Sequence, residues 1–530
     1  MRLVASMLNI LMELLNSPNG ADFIRAIKIL FMLFLALAAL AILFAPISKS
    51  GKTSYGLLRL IFTISLIAVL GYQATWQLAG FTKPSFVKFM RRYNKRPNAA
   101  DLQILRGPIF DRRGLVLAAP VRGNVWGRLY PLGEAAVHPL GYYHSQFGIT
   151  AVERACDPVL SGFTSEKPEE LLGRLLFMSR AEEGDAITLT LDQRLQKKAY
   201  DLMAGRKGAV IIMQPQSGDL LALVSSPGFD PLDPAAAFYD EDNAKAFNRA
   251  VQGLYPPGST FKILIAGIAL NQNLTPTFNC PPLGYIAGPN TPAIRDNEYY
   301  TCARNNTVWT GWGTLKLNEA MTHSSNVYFA QLGVACGHEA FNSMMNRARI
   351  NTSLSYLTAP DNNTLKTARG QIASIKTKRA LAMLAIGQGQ LLVTPLHVAC
   401  FTAAVATEGK MMRPRLKLNM PIIEESLLFT PRTAEQLKIM LRRVVTHGTG
   451  KGVDIPGLEI CGKTGTAQVD NKDDHAWFTC FAPLKNPRIV VTVLIENGGY
   501  GAQTALPVAR TLLQEAEKLG YVRQKTQVPK

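Results

Sequence analysis

The sequence predicts an α/β domain over residues 181–522, set on a small α+β region and preceded by N-terminal transmembrane helices. Three observations predict it. Two uncharged apolar segments stand near the N-terminus, at residues 29–47 and 60–82. Strand-like runs then bracket the rest of the chain, GAVIIMQP and LLALVSSP at one end and LEICGKTG, AWFTCFAP and RIVVTVLIEN at the other. Between them lie helices of apolar period, at 261–270, 315–336, 376–386, 395–407 and 431–445. Strands at both ends with helices between argue for one sheet that is completed late in the chain.

Residues 1–28 carry Arg2, Arg25 and Lys28, and residues 3–15 fit an interfacial helix. Residues 29–82 form the anchor. Its first segment, ILFMLFLALAALAILFAPI, has 19 uncharged residues and just spans a hydrocarbon core of roughly 30 Å. The second carries Tyr72 and Trp76 near its end, where an aromatic belt lies. The link between them holds Lys49, Lys52 and Arg59 and no acid, so the positive-inside rule puts it in the cytoplasm. The large C-terminal part then faces outward. A single span at 60–82 is the second reading and leads to the same orientation.

Residues 83–180 begin with a basic juxtamembrane stretch, KPSFVKFMRRYNKR, a solvated face able to meet anionic membrane lipids. RGPIFDRRGLVLAAP follows and breaks at Asp111-Arg112-Arg113-Gly114, which reads as strand, turn, strand. A boundary falls near Glu182-Glu183-Gly184-Asp185. Beyond it come a strand (ITLTLD), a helix (LQKKAYDLMAG) and a β-hairpin turning at Gln216–Asp219. A helix at 505–519 closes the domain, and 523–530 is a tail.

The chain of 530 residues is 47% hydrophobic and only 18% charged, which agrees with part of it lying in lipid. A net charge of +19 favours anionic partners. There is no dense basic tract interleaved with aromatics, so nucleic acid is set aside. None of the seven cysteines forms a C-x-x-C pair, which excludes a zinc ribbon or a thioredoxin-type site. Cys280 and Cys302 flank one polar loop and read either as a disulfide or as two free thiols. The other five lie mostly in apolar runs, as small core residues do.

Three short motifs carry chemistry. In Tyr255-Pro-Pro-Gly-Ser259-Thr-Phe-Lys262, Pro and Gly stop the preceding structure and Ser259 opens a helix. Ser259 and Lys262 then share a helical face. A serine needs a base to become nucleophilic, and a lysine of depressed pKa can be that base. Ser324-Ser325-Asn326 supplies a hydroxyl for proton relay and an amide for a substrate carbonyl. Lys463-Thr464-Gly465-Thr466 supplies a cation, hydroxyls for a carboxylate and a glycine where a ligand backbone approaches a strand. Residues 457–464 also spell a phosphate-loop pattern, but its variable residues read as strand and no helix follows.

The order S-x-x-K, S-x-N, K-T-G resembles that of the transpeptidase domain of penicillin-binding proteins, whose fold is serine β-lactamase-like. The resemblance covers roughly residues 100–520. Arg106–Gly114 is similar to a segment that opens the class B pedestal, and Gly148-Ile-Thr-Ala-Val-Glu153 to a G-x-x-G-x-E segment with Ala151 where glycine is usual. Gly387-Gln-Gly389, Thr394-Pro395 and Gly448-Thr449-Gly450 resemble further family segments. The resemblance implies a peptidoglycan D,D-transpeptidase on the outer face of a bacterial cytoplasmic membrane. Ser259 would attack the D-Ala-D-Ala bond of a stem peptide, with Lys262, Ser324, Asn326 and Lys463 as catalytic partners. Thr464, Gly465 and Thr466 would bind substrate, and the N–H groups of Ser259 and Thr466 would form the oxyanion hole. It implies no cofactor and no metal. It implies β-lactams as acylating ligands, and as partners a SEDS-type glycosyltransferase with elongation or division proteins. A β-lactamase or carboxypeptidase, and a catalytically idle sensor or scaffold, are the competing functions.

Overall fold

The computed structural model describes residues 60, 62–67, 69, 105–121, 124–162, 184–240, 242–359, 363–372, 374–469 and 472–523. The chain divides into two compact units, Met1–Ala100 and Asp101–Lys530. In the first, residues 60, 62–67 and 69 are helical, with Leu60, Phe62, Ile64, Ile67 and Val69 exposed. The expected segments 3–15 and 29–47, and the rest of 60–82, lie outside the described residues. Among the described residues no helix is long and apolar enough to cross a membrane.

The second unit opens with the expected strand, turn and strand. β1 (Ile109–Phe110) pairs antiparallel with β2 (Val116–Val121). With β3 (Asn124–Leu129) and β4 (Ile187–Thr188) they form a small sheet of order β3-β2-β1-β4, whose strands come from both sides of residue 180. Asp111 holds the turn. Its Oδ1 accepts the N–H of Arg113 at 2.8 Å and of Leu115 at 2.9 Å, and its Oδ2 accepts that of Gln193 at 3.2 Å, where helix α1 (Gln193–Met203) begins.

The two family-like segments meet in one buried ion network. Glu153 accepts from Arg106 at 2.6 Å, Arg128 at 2.8 Å and the Tyr130 hydroxyl at 3.2 Å, and Arg106 also reaches Asp157 at 2.6 Å. The two guanidinium groups hold the Glu153 carboxyl below its ordinary pKa, against the upward push of burial. Ala151, where a glycine is usual, has φ 44°, a left-handed backbone that alanine adopts at a cost of about 1 kcal/mol.

The main sheet comprises β5 (Gly208–Met213), β6 (Leu220–Ser226), β7 (Cys461–Val469), β8 (Lys472–Ala482) and β9 (Ile489–Ile495). All neighbours are antiparallel, in the order β7-β8-β9-β5-β6. The sheet is buried on both faces, which explains its unbroken apolar runs. Val210, Ile212, Val491 and Val493 belong to a core with α1 and the terminal helix, while Ala209, Ile211, Val490 and Leu494 join the larger core opposite. Side chains alternate between faces with period two, so β5, β6, β8 and β9 each feed both cores.

The helices between are α2 (Lys262–Asn271), α3 (Asn297–Arg304), α4 (Leu317–His323), α5 (Asn326–Cys336), α6 (His338–Arg347), α7 (Lys378–Ala385), α8 (Pro395–Ala406) and α9 (Pro431–His447), and α10 (Ala505–Lys518) closes the chain. Two expectations are corrected. The single helix expected over 315–336 is two, α4 and α5, broken at Ser324-Ser325. The helices α3 and α6 were not foreseen, because each is short and mostly polar. All seven cysteines are free thiols, Cys280 and Cys302 included.

Candidate active site

The nucleophile candidate sits where the chain turns sharply into α2. Gly258 has φ +53°, and Gly258–Phe261 form a 3₁₀ turn that runs into Lys262. The turn is held from three sides. The Trp477 indole donates to Pro256 O at 3.0 Å, Thr260 Oγ1 donates to Pro257 O at 2.8 Å, and Gly258 N donates to Gly387 O at 2.9 Å. A Cβ on Gly387 would lie 2.0 Å from Gly258 O, so the 387–389 segment clamps the turn by backbone-to-backbone contact that only glycine allows. α2 is buried from Lys262 to Leu270, as expected of a helix that is apolar all round.

Ser324 lies in the break between α4 and α5, in a left-handed conformation (φ 59°, ψ 37°). The break turns its backbone carbonyl and hydroxyl toward Lys262. Ser325 then caps α5, accepting Tyr328 N at 3.1 Å. Lys262 Nζ donates to Ser324 O at 2.7 Å and to Asn326 Oδ1 at 2.7 Å, and lies 3.4 Å from Ser324 Oγ. Lys463 Nζ donates to Ser324 Oγ at 2.7 Å and to Thr464 O at 3.0 Å. The three motifs therefore converge on one hydroxyl, Ser324, held between two lysines.

Both lysines are fully buried. Burial pushes Lys262 down to about 7, against the opposing pull of Asp296 and Glu298. Burial and the neighbouring Lys262 hold Lys463 well below the lysine range. A neutral amine has two N–H groups and one lone pair. At Lys262 the two carbonyl oxygens take both N–H groups, which leaves the lone pair free to accept a proton.

β7 is an edge strand, so it offers backbone groups to a ligand. It lies close to the nucleophile turn. A Cβ on Gly465 would meet Thr260 Cγ2 and Trp477 Cβ at 2.9 Å, and one on Gly258 would meet Thr466 O at 2.6 Å. In an extended strand a residue's N–H and C=O leave on the same side, so the Thr466 N–H also faces the turn that carries Ser259. Ser259, Asn326, Gln388 and Thr466 line an open cleft of about 640 Å³. Thr464 is turned elsewhere, its hydroxyl 2.7 Å from that of Thr449. The Asn326 amide is committed on both atoms, to Lys262 and to Arg295 O at 3.1 Å, and its Nδ2 keeps one N–H for a ligand.

Sequence reasoning missed Asp296. It is 2% exposed, and its Oδ1 accepts from Ser325 Oγ at 3.0 Å and Val327 N at 3.1 Å, which fixes the start of α5. Its Oδ2 is buried without a partner, and burial raises its pKa. It lies in the loop noted only for its cysteines, and nothing in that loop's pattern sets it apart.

Comparison with known proteins agrees with this geometry. Residues 208–514 match the penicillin binding protein transpeptidase domain. The chain is 32% identical over 430 residues to the peptidoglycan D,D-transpeptidase PbpA of Mycobacterium tuberculosis, covering 73% of this chain and 84% of that one. It is 31% identical over 488 residues to the peptidoglycan D,D-transpeptidase MrdA of Haemophilus influenzae, covering 79% and 73%. Among solved structures, penicillin-binding protein A of M. tuberculosis as a ceftriaxone acyl-enzyme complex superposes with a TM-score of 0.70 at 28% identity, covering 78% of this chain and 99% of that one.

Proposed function

The chain belongs to the penicillin-binding protein transpeptidases of class B, and we propose that Ser259 is the nucleophile of its peptidoglycan D,D-transpeptidase activity. The observation that carries this reading is the convergence of Lys262, Ser324, Asn326 and Lys463 beside the Ser259 turn, with both lysines depressed by burial.

Ser259 Oγ attacks the carbonyl of the penultimate D-Ala, and its proton passes to the free amine of Lys262. The N–H groups of Ser259 and Thr466 stabilise the oxyanion; each such donor typically contributes about 3 kcal/mol. Ser324, hydrogen-bonded to Lys463, relays that proton from Lys262 to the departing D-Ala nitrogen, which leaves the Lys262 amine free again. The C–N bond breaks, D-Ala leaves and an acyl-enzyme remains. An amine of a neighbouring stem peptide then attacks that ester; Lys262 takes the amine's proton and returns it to Ser259 Oγ as the ester C–O bond breaks. β-Lactams follow the first half of this path and stay on the serine. Lys463 and Thr466 receive the terminal carboxylate, Gly465 allows the peptide backbone close to β7, and Thr464 acts through its neighbours.

The finer assignments are proposals of the same kind. Residues 29–82 anchor the chain in a bacterial cytoplasmic membrane, residues 83–180 serve as the pedestal, and residues 181–522 carry the chemistry outside. A SEDS-type glycosyltransferase and elongation or division proteins are its partners in the wall. Release of the protein from membranes on deletion of residues 1–82 is the result expected of such an anchor.

The test of the catalytic reading is covalent labelling. The protein is incubated with a fluorescent penicillin, followed by intact mass and peptide mapping, with Ser259→Ala as control. One long-lived adduct on the Ser259 peptide, absent from the variant, is expected. Rapid loss of the adduct with hydrolysed drug would mean a β-lactamase, and no adduct on folded protein would mean an idle scaffold.

A further inference from the structure

The turn that carries Ser259 has a further tie at its entry, beyond the three already described. Tyr255 is buried, and its backbone exchanges two hydrogen bonds of 2.9 Å with Val393. Its ring meets those of His475 and Trp477, both on β8, edge-on at 5.4 and 6.3 Å between centroids. Its hydroxyl donates to Glu496 Oε1 at 2.6 Å. The same oxygen accepts from Arg249 Nε at 2.8 Å. Arg249 is 3% exposed, and its outer nitrogens donate to Asn243 O at 2.7 Å and to Ala244 O at 3.3 Å. The buried guanidinium therefore holds the carboxylate in place, and the carboxylate holds the tyrosine.

Glu496 follows β9, the middle strand of the main sheet, and its N–H donates at 2.8 Å to the carbonyl of Lys207, the residue before β5. Tyr255 and Glu496 line a hollow with Arg249 and His475, and neither is among the residues that line the Ser259 cleft. Only Pro256, Pro257 and Gly258 separate Tyr255 from Ser259. The proline rings lock φ, and Gly258 is clamped by Gly387. Few torsions are left to absorb a shift of Tyr255, so the shift reaches Ser259. Burial, together with the Glu496 charge, raises the Tyr255 pKa, so the hydroxyl remains a donor at neutral pH.

We propose that Glu496 is a positioning residue for Ser259, acting through the Tyr255 hydroxyl to fix the entry of the nucleophile turn against the middle strand of the main sheet. The proposal rests on the reading of Ser259 as the nucleophile and extends it to a residue outside the three motifs. An attacking oxygen must lie about 3–3.5 Å from the carbonyl it attacks, and a misplacement of about 1 Å costs up to about a hundredfold in rate. Loss of the tie therefore lowers the limiting rate of acylation and leaves the affinity for unreacted ligand nearly unchanged.

The test uses the full chain in detergent and fluorescent penicillin over a range of concentrations, which separates the limiting acylation rate from the half-saturating concentration. Tyr255→Phe keeps the ring and the Arg249–Glu496 pair and removes only the hydroxyl. It is expected to lower the limiting rate about tenfold and to change half-saturation by less than about twofold. Glu496→Ala is expected to be at least as slow. Glu496→Gln keeps an oxygen for the hydroxyl and is expected to recover to within about threefold of wild type. Tyr521→Phe is the control for a merely structural loss, because Tyr521 also donates its hydroxyl to a carboxylate, Asp192 Oδ2 at 2.7 Å. It should lower the calorimetric Tm as Tyr255→Phe does and leave the limiting rate unchanged. Acylation of Tyr255→Phe at the wild-type rate would overturn the proposal and leave the nucleophile reading intact. So would a Glu496→Gln variant no faster than Glu496→Ala, or a Tyr521→Phe variant as slow as Tyr255→Phe. If penicillin does not label Ser259 in the wild-type protein, the underlying reading fails together with the proposal.

Discussion

The pH dependence of acylation tests the base assignment most directly. If Lys262 takes the Ser259 proton, only its free-amine form is active. With the ordinary value of 10.5, roughly one molecule in three thousand would be free at pH 7. With the value of about 7 that burial sets, half would be. The difference is about three orders of magnitude in rate, or about 4 kcal/mol of barrier. The rate of penicillin acylation should therefore be flat above pH 8 and fall tenfold per unit below pH 6, about fiftyfold between pH 7 and pH 5. Asp296→Asn gives the sign check. The Asp296 charge favours protonated Lys262, so its removal lowers the Lys262 pKa and moves the acid limb to lower pH. The substitution keeps the Oδ1 that accepts from Ser325 and Val327, and alters only the unpartnered Oδ2. Second-order rates measured with fluorescent penicillin from pH 5 to 9 provide the readout. A flat profile, or an acid limb that moves upward in Asp296→Asn, would refute Lys262 as the base.

Two further outcomes concern the pedestal. Glu153→Gln should cost roughly 3–5 kcal/mol in urea unfolding, because it leaves Arg106 with Asp157 alone and Arg128 without an anion in a buried site. Ala151→Gly should stabilise the protein by about 1 kcal/mol, since glycine accepts φ 44° freely; a calorimetric Tm rise of roughly 2 °C is expected.

The sequence pointed to Lys262 and Lys463, the two lysines that the fold buries around Ser324, because a pattern of three ordered motifs survives without knowledge of the fold. It announced the central strands because they are buried on both faces and lack polar interruptions. It did not announce the break at Ser324. The apolar period runs through from α4 into α5, and only a left-handed residue whose carbonyl meets Lys262 interrupts it. Asp296 was invisible for another reason. It is an ordinary polar residue in a polar stretch, and its hold on the start of α5 comes from long-range placement. The glycines of the 387–389 segment were noticed by resemblance, while their physical role, a clamp on Gly258, needed coordinates. The α6 helix had a usable signal in Phe341, Met344 and Met345, which recur at helical spacing and are buried.

Val210 pairs with Val493 across the middle of the main sheet, about 280 residues apart in sequence. Such a join has high contact order, so collapse of this domain should be slow and its barrier largely entropic. The chain emerges with β5 and β6 waiting for neighbours that are made last, while the segment bearing Ser259 lies between. Strand β7, which completes the cleft, is attached to that early hairpin only through β8 and β9. A nascent or truncated chain ending before β9 therefore exposes an unpaired strand edge and has no assembled cleft. Activity and protection from proteolysis should appear in the same kinetic phase of refolding.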